Sequence, residues 1–195
     1  MSGPEGAQVP RTAGLELASV AADIIEIASL RGGAPELESL AGARGLELPA
    51  FGRVALSSHR LVLSVRPERW LLLAPPASPG ASAALWQSAC APVGVALELS
   101  SGLAALHLSG MEVRAVLGRS CRLDLEPQAF PLGCAAATLM AQVPVILAAL
   151  PAGWLLLTPS STARHVREWL AATARPFGFQ SREDATVAVL SGESS

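Results

Sequence analysis

The chain has 195 residues, enough to bury one core or two small, closely packed halves without an accessory module. Its formal net charge is −2, and its 14 basic residues, all arginine, are scattered from Arg11 to Arg182, which excludes the clustered basic footprint of a nucleic-acid or anionic-membrane binder. Charged residues make up 15% of the chain against roughly 25% in an ordinary soluble domain, and 51% of positions are apolar, so some apolar surface is expected to meet another chain.

Residues 1–23 read as an N-terminal tail. They lack the basic end and continuous apolar stretch of a signal or transit peptide, so a cytoplasmic location is expected. Cys90, Cys121 and Cys134 are odd in number and form no CxxC pair, which suits reduced thiols.

A first half-repeat, residues 24–100, opens with a strand from Ile24 to Leu30. The turn Arg31-Gly32-Gly33 leads into a short helix, Pro35 to Ala43, and a linker carries Leu46-Glu47-Leu48-Pro49. Strands follow near Val54 to Leu56, Leu61 to Val65 and Trp70 to Leu73, the last two joined by Arg66-Pro67-Glu68-Arg69. A closing helix, Ala81 to Ala91, is stopped by Pro92.

A second half-repeat, residues 101–180, answers in the same order. It has a strand (Leu103 to Leu108), a helix (Met111 to Leu117), a linker with Leu123-Asp124-Leu125, and strands at Ala136 to Met140, Val145 to Ala149 and Trp154 to Leu157. Its closing helix, Thr162 to Ala174, sets Val166, Trp169, Leu170 and Thr173 opposite Arg164, Arg167, Glu168 and Arg175. Leu61 to Pro75 aligns without gaps on Val145 to Pro159, and the same shift brings Trp70 onto Trp154, Pro92 onto Pro176 and Gly94 onto Gly178. The expected fold is therefore α+β, a tandem duplication of a β-α-β-β-β-α unit with antiparallel sheets, followed by a C-terminal tail over 181–195. Met1 to Gly14 and Ser181 to Ser195, rich in small or polar residues, are expected to be disordered in the isolated chain.

No charged residue lies between Glu126 and Arg164, and Leu139 to Leu157 would score as a membrane helix on hydropathy alone. Pro144, Pro151 and Gly153 instead divide it at strand lengths, and the aligned segment of the first half carries Arg66, Glu68 and Arg69.

No reactive constellation emerges. There is no GxGxxG or GxxxxGK[ST] fingerprint, His59, His107 and His165 are far apart in sequence, and no Cys/His pattern provides four metal ligands. Cys121 and Cys134 have no neighbouring histidine base and read as small packing residues. No residue is assigned as catalytic, cofactor-binding or metal-binding. Trp70 and Trp154 are expected in the core, whereas Trp86 and Trp169 on the closing helices are divided between core and interface. Asp124 is read chiefly as a cap for backbone N–H groups in its linker and otherwise as a partner contact. Arg122, Asp124, Phe130, Trp86 and Trp169 are the candidate interface or structural-loop residues.

From about Ile24 to Phe179 the chain resembles the gamma subunit of heterotetrameric sarcosine oxidase. The resemblance rests on SLRGG (Ser29 to Gly33), GLELP (Gly45 to Pro49), RPERWLLLAP (Arg66 to Pro75), LHLSG (Leu106 to Gly110), CRLDLEPQAFPLGCAAAT (Cys121 to Thr138) and HVREWL (His165 to Leu170). Ser120, Arg122, Glu126 and Gln128 stand where that family more typically has Gly, Pro, His and Arg, so the resemblance implies a class of N-methylated or secondary amines with sarcosine as its leading member. It implies a non-catalytic structural subunit, with ferredoxin-like halves similar to the folate-binding domain of the glycine-cleavage T-protein. Its implied partners are an alpha subunit with NAD and a tetrahydrofolate site, a beta subunit with FAD and covalent FMN, and a small zinc-binding delta subunit, leaving no cofactor in this chain. A stand-alone folate-binding protein of the T-protein type is the alternative.

Overall fold

Trp70-Leu71-Leu72-Leu73 and Trp154-Leu155-Leu156-Leu157 are apolar at every position, as expected of strands covered on both faces rather than one. The structure is a computed structural model describing residues 13–57, 59–182 and 184–192, and it meets that expectation with four layers. In chain order the elements are β1 (Leu15–Ala21), β2 (Asp23–Ser29), α1 (Ala34–Gly42), β3 (Val54–Ser57), β4 (Arg60–Arg66), β5 (Arg69–Ala74), α2 (Ala81–Cys90) and β6 (Gly94–Glu98). They continue with β7 (Leu103–Ser109), α3 (Val113–Gly118), β8 (Ala135–Met140), β9 (Val143–Leu150), β10 (Gly153–Pro159), α4 (Ala163–Ala174), β11 (Phe179–Ser181) and β12 (Ala185–Thr186), and a 3-10 turn over Val187–Ser191 follows.

One sheet runs β3-β4-β5-β2-β6; the other runs β11-β1-β7-β10-β9-β8, with β12 pairing on β1. All neighbours are antiparallel except β1 with β11 and β12, which are parallel. The period-two alternation of a strand then divides the side chains between two cores. Trp70 and Leu72 face α1 and α2, and Trp154 and Leu156 face α3 and α4. Leu71, Leu73, Leu155 and Leu157 meet in the core between the sheets. The apolar run Leu139 to Leu157 is the end of β8 and the β9–β10 hairpin, divided into strands as expected, and among the described residues no helix is long and apolar enough to cross a membrane.

Two seams join the sheets. β1 and β2 are separated only by Ala22, yet lie in different sheets. At the other edge the start of β3 meets the start of β8: the Val54 amide donates to the Gly133 carbonyl at 2.9 Å, and the Ala135 amide to the Gly52 carbonyl at 2.9 Å.

The tail boundaries need correction. Residues 15–21 of the supposed N-terminal tail form β1, with Leu15 and Leu17 at 0% and 1% exposure in the helix-side core. Residues 181–192 of the supposed C-terminal tail include the end of β11, then β12 and the 3-10 turn that buries Val187 and Leu190 between the sheets. Both segments are short and neither shows a clean period-two alternation, so their strand character comes from pairing with β7 and β1 rather than from a hydropathy pattern. The rest of the expected tails, Met1 to Thr12 and 193–195, lies outside the described residues. The strands β6 and β11 were also unforeseen, because each lies beyond the proline that stops its helix. Gly32 (φ +80°) makes the turn into α1 as expected, and Gly33 is required for packing, since a Cβ there would lie 2.7 Å from the Val93 carbonyl oxygen.

Gly153 carries the tightest backbone approach in the second half: its φ is +135°, and a Cβ would sit 2.3 Å from the Leu108 carbonyl oxygen. Gly153→Ala is therefore expected to cost at least about 2 kcal/mol in urea-unfolding measurements. Gly118→Ala, where nothing lies within 4 Å of the added carbon, is expected to be neutral or to stabilise by up to about 1 kcal/mol.

Candidate partner interface

The linker between α3 and β8 is held by Trp154. Phe130 stacks on its ring at 5.5 Å between centroids and 19° between planes, and the Arg114 guanidinium lies 5.0 Å from the ring centroid. Arg114 Nη1 also donates to the Leu125 carbonyl, so one side chain fastens the loop by a cation–π contact and a hydrogen bond. In the first half Trp70 performs the matching task, its indole N–H donating to the Pro49 carbonyl at 2.8 Å. Asp124 Oδ1 accepts from the Glu126 amide at 3.0 Å, the local turn its linker position suggests.

These contacts sort the candidate residues. Trp86 and Phe130 are 5% and 6% exposed, so both are core residues and neither is a partner contact; Phe130 acts through its loop. Both are buried because the helix and the linker close over the outer faces of the sheets. Arg122 and Asp124 are exposed, and Trp169 is 42% exposed beside His165, with ring centroids 6.5 Å apart.

Because both faces of both sheets are covered, most of the apolar excess is internal. The apolar side chains left outside include Phe51 (66% exposed), Leu132 (63%) and Leu139 (57%), which flank or lie on β8 and its seam with β3. Sequence reasoning passed over these residues, although the charge-free run between Glu126 and Arg164 contains two of them. This rim is the candidate docking surface: an edge strand whose own residues carry no charge to discourage pairing, with Arg53 at its seam turned onto Cys134.

The opposite end of the seven-stranded sheet is polar. Glu16 on β1 is held by Arg182 in a two-pronged ion pair, Nη2 to Oε1 at 2.6 Å and Nε to Oε2 at 2.8 Å, with the Ser109 hydroxyl 3.4 Å from Oε2. These side chains and His107 line an open cavity of about 460 Å³ under the C-terminal segment. The Arg182 hydrogen bonds hold the Glu16 carboxyl below its ordinary pKa. His107 is 7% exposed and lies 3.0 Å, through Nε2, from the Ala152 carbonyl; that oxygen only accepts, so Nε2 carries the proton. Burial pushes the His107 pKa down, outweighing the contributions of Ala152 and Glu16, so the ring stays neutral near pH 7.

Burial also raises the thiol pKa of Cys90 and Cys121, which disfavours thiolate chemistry at either. Cys134 accepts from Arg53 Nη1 at 3.1 Å across the seam. Among the described residues no three His, Cys, Asp or Glu side chains converge as metal ligands.

Two antiparallel sheets packed face to face, with helices outside, define the class. The chain superposes on the glycine cleavage system aminomethyltransferase T of Bartonella henselae with a TM-score of 0.64 at 16% identity, covering 95% of this chain and 53% of that one, a likeness of fold. The model of the sarcosine oxidase, gamma subunit family matches residues 34–175. A chain of heterotetrameric sarcosine oxidase from Corynebacterium sp. U-96, solved in complex with pyrrole 2-carboxylate, superposes with a TM-score of 0.74 at 31% identity, covering 84% of this chain and 85% of that one. Sarcosine oxidase subunit gamma of Arthrobacter sp. is 34% identical over 135 residues, 68% of this chain and 66% of that protein. The corresponding subunit of Corynebacterium sp. (strain P-1) is 33% identical over the same length, again 66% of that protein. The chain belongs to the sarcosine oxidase gamma subunit family.

Both polar groups under the C-terminal segment tie stability to pH in the same direction. A carboxylate whose folded pKa is lowered contributes stability that is complete above its unfolded value of about 4.3 and is lost as the pH falls through the folded value. A histidine whose folded pKa is lowered adds a second loss, which begins as the pH falls through about 6.5. Thermal unfolding is expected to show a stability decline starting near pH 6.5; His107→Gln is expected to flatten its upper part, and Glu16→Gln to flatten only the part below about pH 4.5.

Proposed function

We propose that this chain is the non-catalytic, structural gamma subunit of a heterotetrameric sarcosine oxidase-like complex that carries out flavin-dependent oxidative demethylation of sarcosine or a related N-methylated or secondary amine. The observation that carries the reading is the agreement between the family match over residues 34–175 and the superposition on a chain of a heterotetrameric sarcosine oxidase over 84% of this chain. The partners are then alpha, beta and delta subunits. FAD, covalent FMN, NAD, tetrahydrofolate and zinc belong to those companions, and this chain contributes position: flavin chemistry needs substrate and cofactor fixed within near-contact geometry, which a rigid neighbour helps to hold.

The tandem duplication belongs to the same proposal. It is supported by the shared orders β3-β4-β5-β2 and β8-β9-β10-β7, and by Trp70 and Trp154 each anchoring its own linker. The sheet order β4-β5-β2-β6 supports the reading of the first half as ferredoxin-like, with β3 added at its edge. In the second half β1 stands between β7 and β11, where the first half has β2 and β6 side by side. A cytoplasmic location is proposed on the three free thiols.

We place the companion contact on the rim of Phe51, Leu132 and Leu139, with Arg122, Asp124 and Trp169 as its polar and aromatic outliers. Apolar side chains more than half exposed beside an edge strand that itself carries no charge resemble the centre of an interface more than its periphery.

Co-expression with the companion subunits and affinity capture of this chain is expected to yield a yellow complex with a flavin absorption spectrum and three further chains. Phe51→Asp combined with Leu139→Asp is expected to leave the circular dichroism of the isolated chain unchanged and to lower recovery of the companions by about tenfold or more. Capture of the wild-type chain without flavin or companions would contradict the assignment. Saturable binding of tetrahydrofolate by the isolated chain would favour the stand-alone folate protein.

A further inference from the structure

Between the sheets, at the end nearest the β4–β5 turn, the core is not closed. Leu63, Val65 and Leu71 from one sheet face Leu99, Leu103 and Ile146 from the other side, and these six aliphatic side chains wall a crevice of about 200 Å³. Leu63 and Leu71 are buried, but Val65, Leu99, Leu103 and Ile146 are only partly covered, so apolar surface faces open space rather than another side chain. Charge is present only at the mouth. Arg69 Nη1 lies 2.7 Å from Glu26 Oε1, an ion pair that neutralises both groups. Arg66, also at the mouth, makes no side-chain hydrogen bond or ion pair among the described residues, and its guanidinium is the uncompensated charge of the site.

An apolar slot with one free guanidinium at its entrance is complementary to a ligand with a short hydrocarbon body and a single anionic head. The body replaces water against the six aliphatic walls, and the head takes the planar N–H fork of Arg66, which suits a carboxylate. We propose that this inter-sheet crevice is a binding site for a small amphipathic monocarboxylate. The site is independent of the partner rim: it lies between the sheets at the β4–β5 turn, whereas the rim lies at β3 and β8. It therefore does not depend on the subunit assignment.

The test is isothermal titration of the full-length chain with butanoate, hexanoate and octanoate, and with 1-octanol as the uncharged counterpart. Affinity is expected to be saturable at one site and to rise about fourfold per added methylene until the crevice is full. Octanol is expected to bind about tenfold or more weakly than octanoate, the loss typical of a missing charge-assisted hydrogen bond. Arg66→Gln, a substitution on an exposed side chain, is expected to lower octanoate affinity by a similar factor and leave octanol unchanged. Leu103→Trp, which fills the slot from its partly covered wall, is expected to abolish both, with circular dichroism confirming that the variant is folded. Octanoate uptake that never saturates, affinity indifferent to chain length, equal binding of octanol and octanoate, or an Arg66→Gln variant that binds octanoate as the parent does would each overturn the proposal.

Discussion

The structure depends on the burial of both faces of both sheets. A sheet exposed on one side needs apolar residues only at alternate positions, whereas here each of the consecutive residues Trp70 to Leu73, Val145 to Leu150 and Trp154 to Leu157 faces one core or another. Leu72 packs toward α1 and α2 while Leu71 and Leu73 pack against the opposite sheet; Leu156 and its neighbours Leu155 and Leu157 do the same in the second half. Summed over these strands, the requirement accounts for a chain that is 51% apolar and only 15% charged. The composition that first suggests an interface is thus mainly a statement about internal layering. The surface case for a partner rests on the few large apolar side chains at the rim, not on the total.

That layering also explains what was legible in the sequence. The positions of β2, α1, β4, β5, α2, β7, β9, β10 and α4 follow from apolar runs, prolines and turn residues, and each lies within a few residues of its expected place. Trp70 and Trp154 stand out because a large ring at the start of a buried strand has little use except to pack, and each does so while also fixing a linker. What could not be read was pairing. Leu15 to Ala21 is interrupted by Glu16 and Ser19, which breaks any clean strand period; it becomes a central strand because β7 and β11 hydrogen-bond to it from both sides. Phe179 to Ser181 contributes no buried side chain and is a strand only through its backbone bonds to β1.

The candidate site divides along the same line. The linker residues were recognisable as a unit from the pattern Cys121 to Thr138, but sequence alone does not reveal which of them point inward. Phe130 turns onto Trp154 because Arg114 and Trp154 offer it a stacking surface, and Trp86 turns onto Ile27 and its neighbours because α2 closes over the first sheet. The exposed Phe51 and Leu139 had no periodic signal at all, since their exposure comes from lying at sheet edges. An edge is a property of the assembled sheet and has no local mark in a chain.

The asymmetry between the halves has a mechanical consequence. β1 sits in the second sheet and continues through a single residue into β2 of the first, so neither sheet can shift against the other without straining that link. The C-terminal segment closes over the same place: Arg182 grips Glu16, β12 pairs with β1, and Val187 and Leu190 fill the space between the sheets. At the far edge the Gly52–Ala135 and Gly133–Val54 bonds join β3 to β8. The two sheets are therefore clamped at opposite edges around an apolar middle. A body fastened in this way resists the sliding that a simple sandwich permits, which is what the proposed positioning role would require of it.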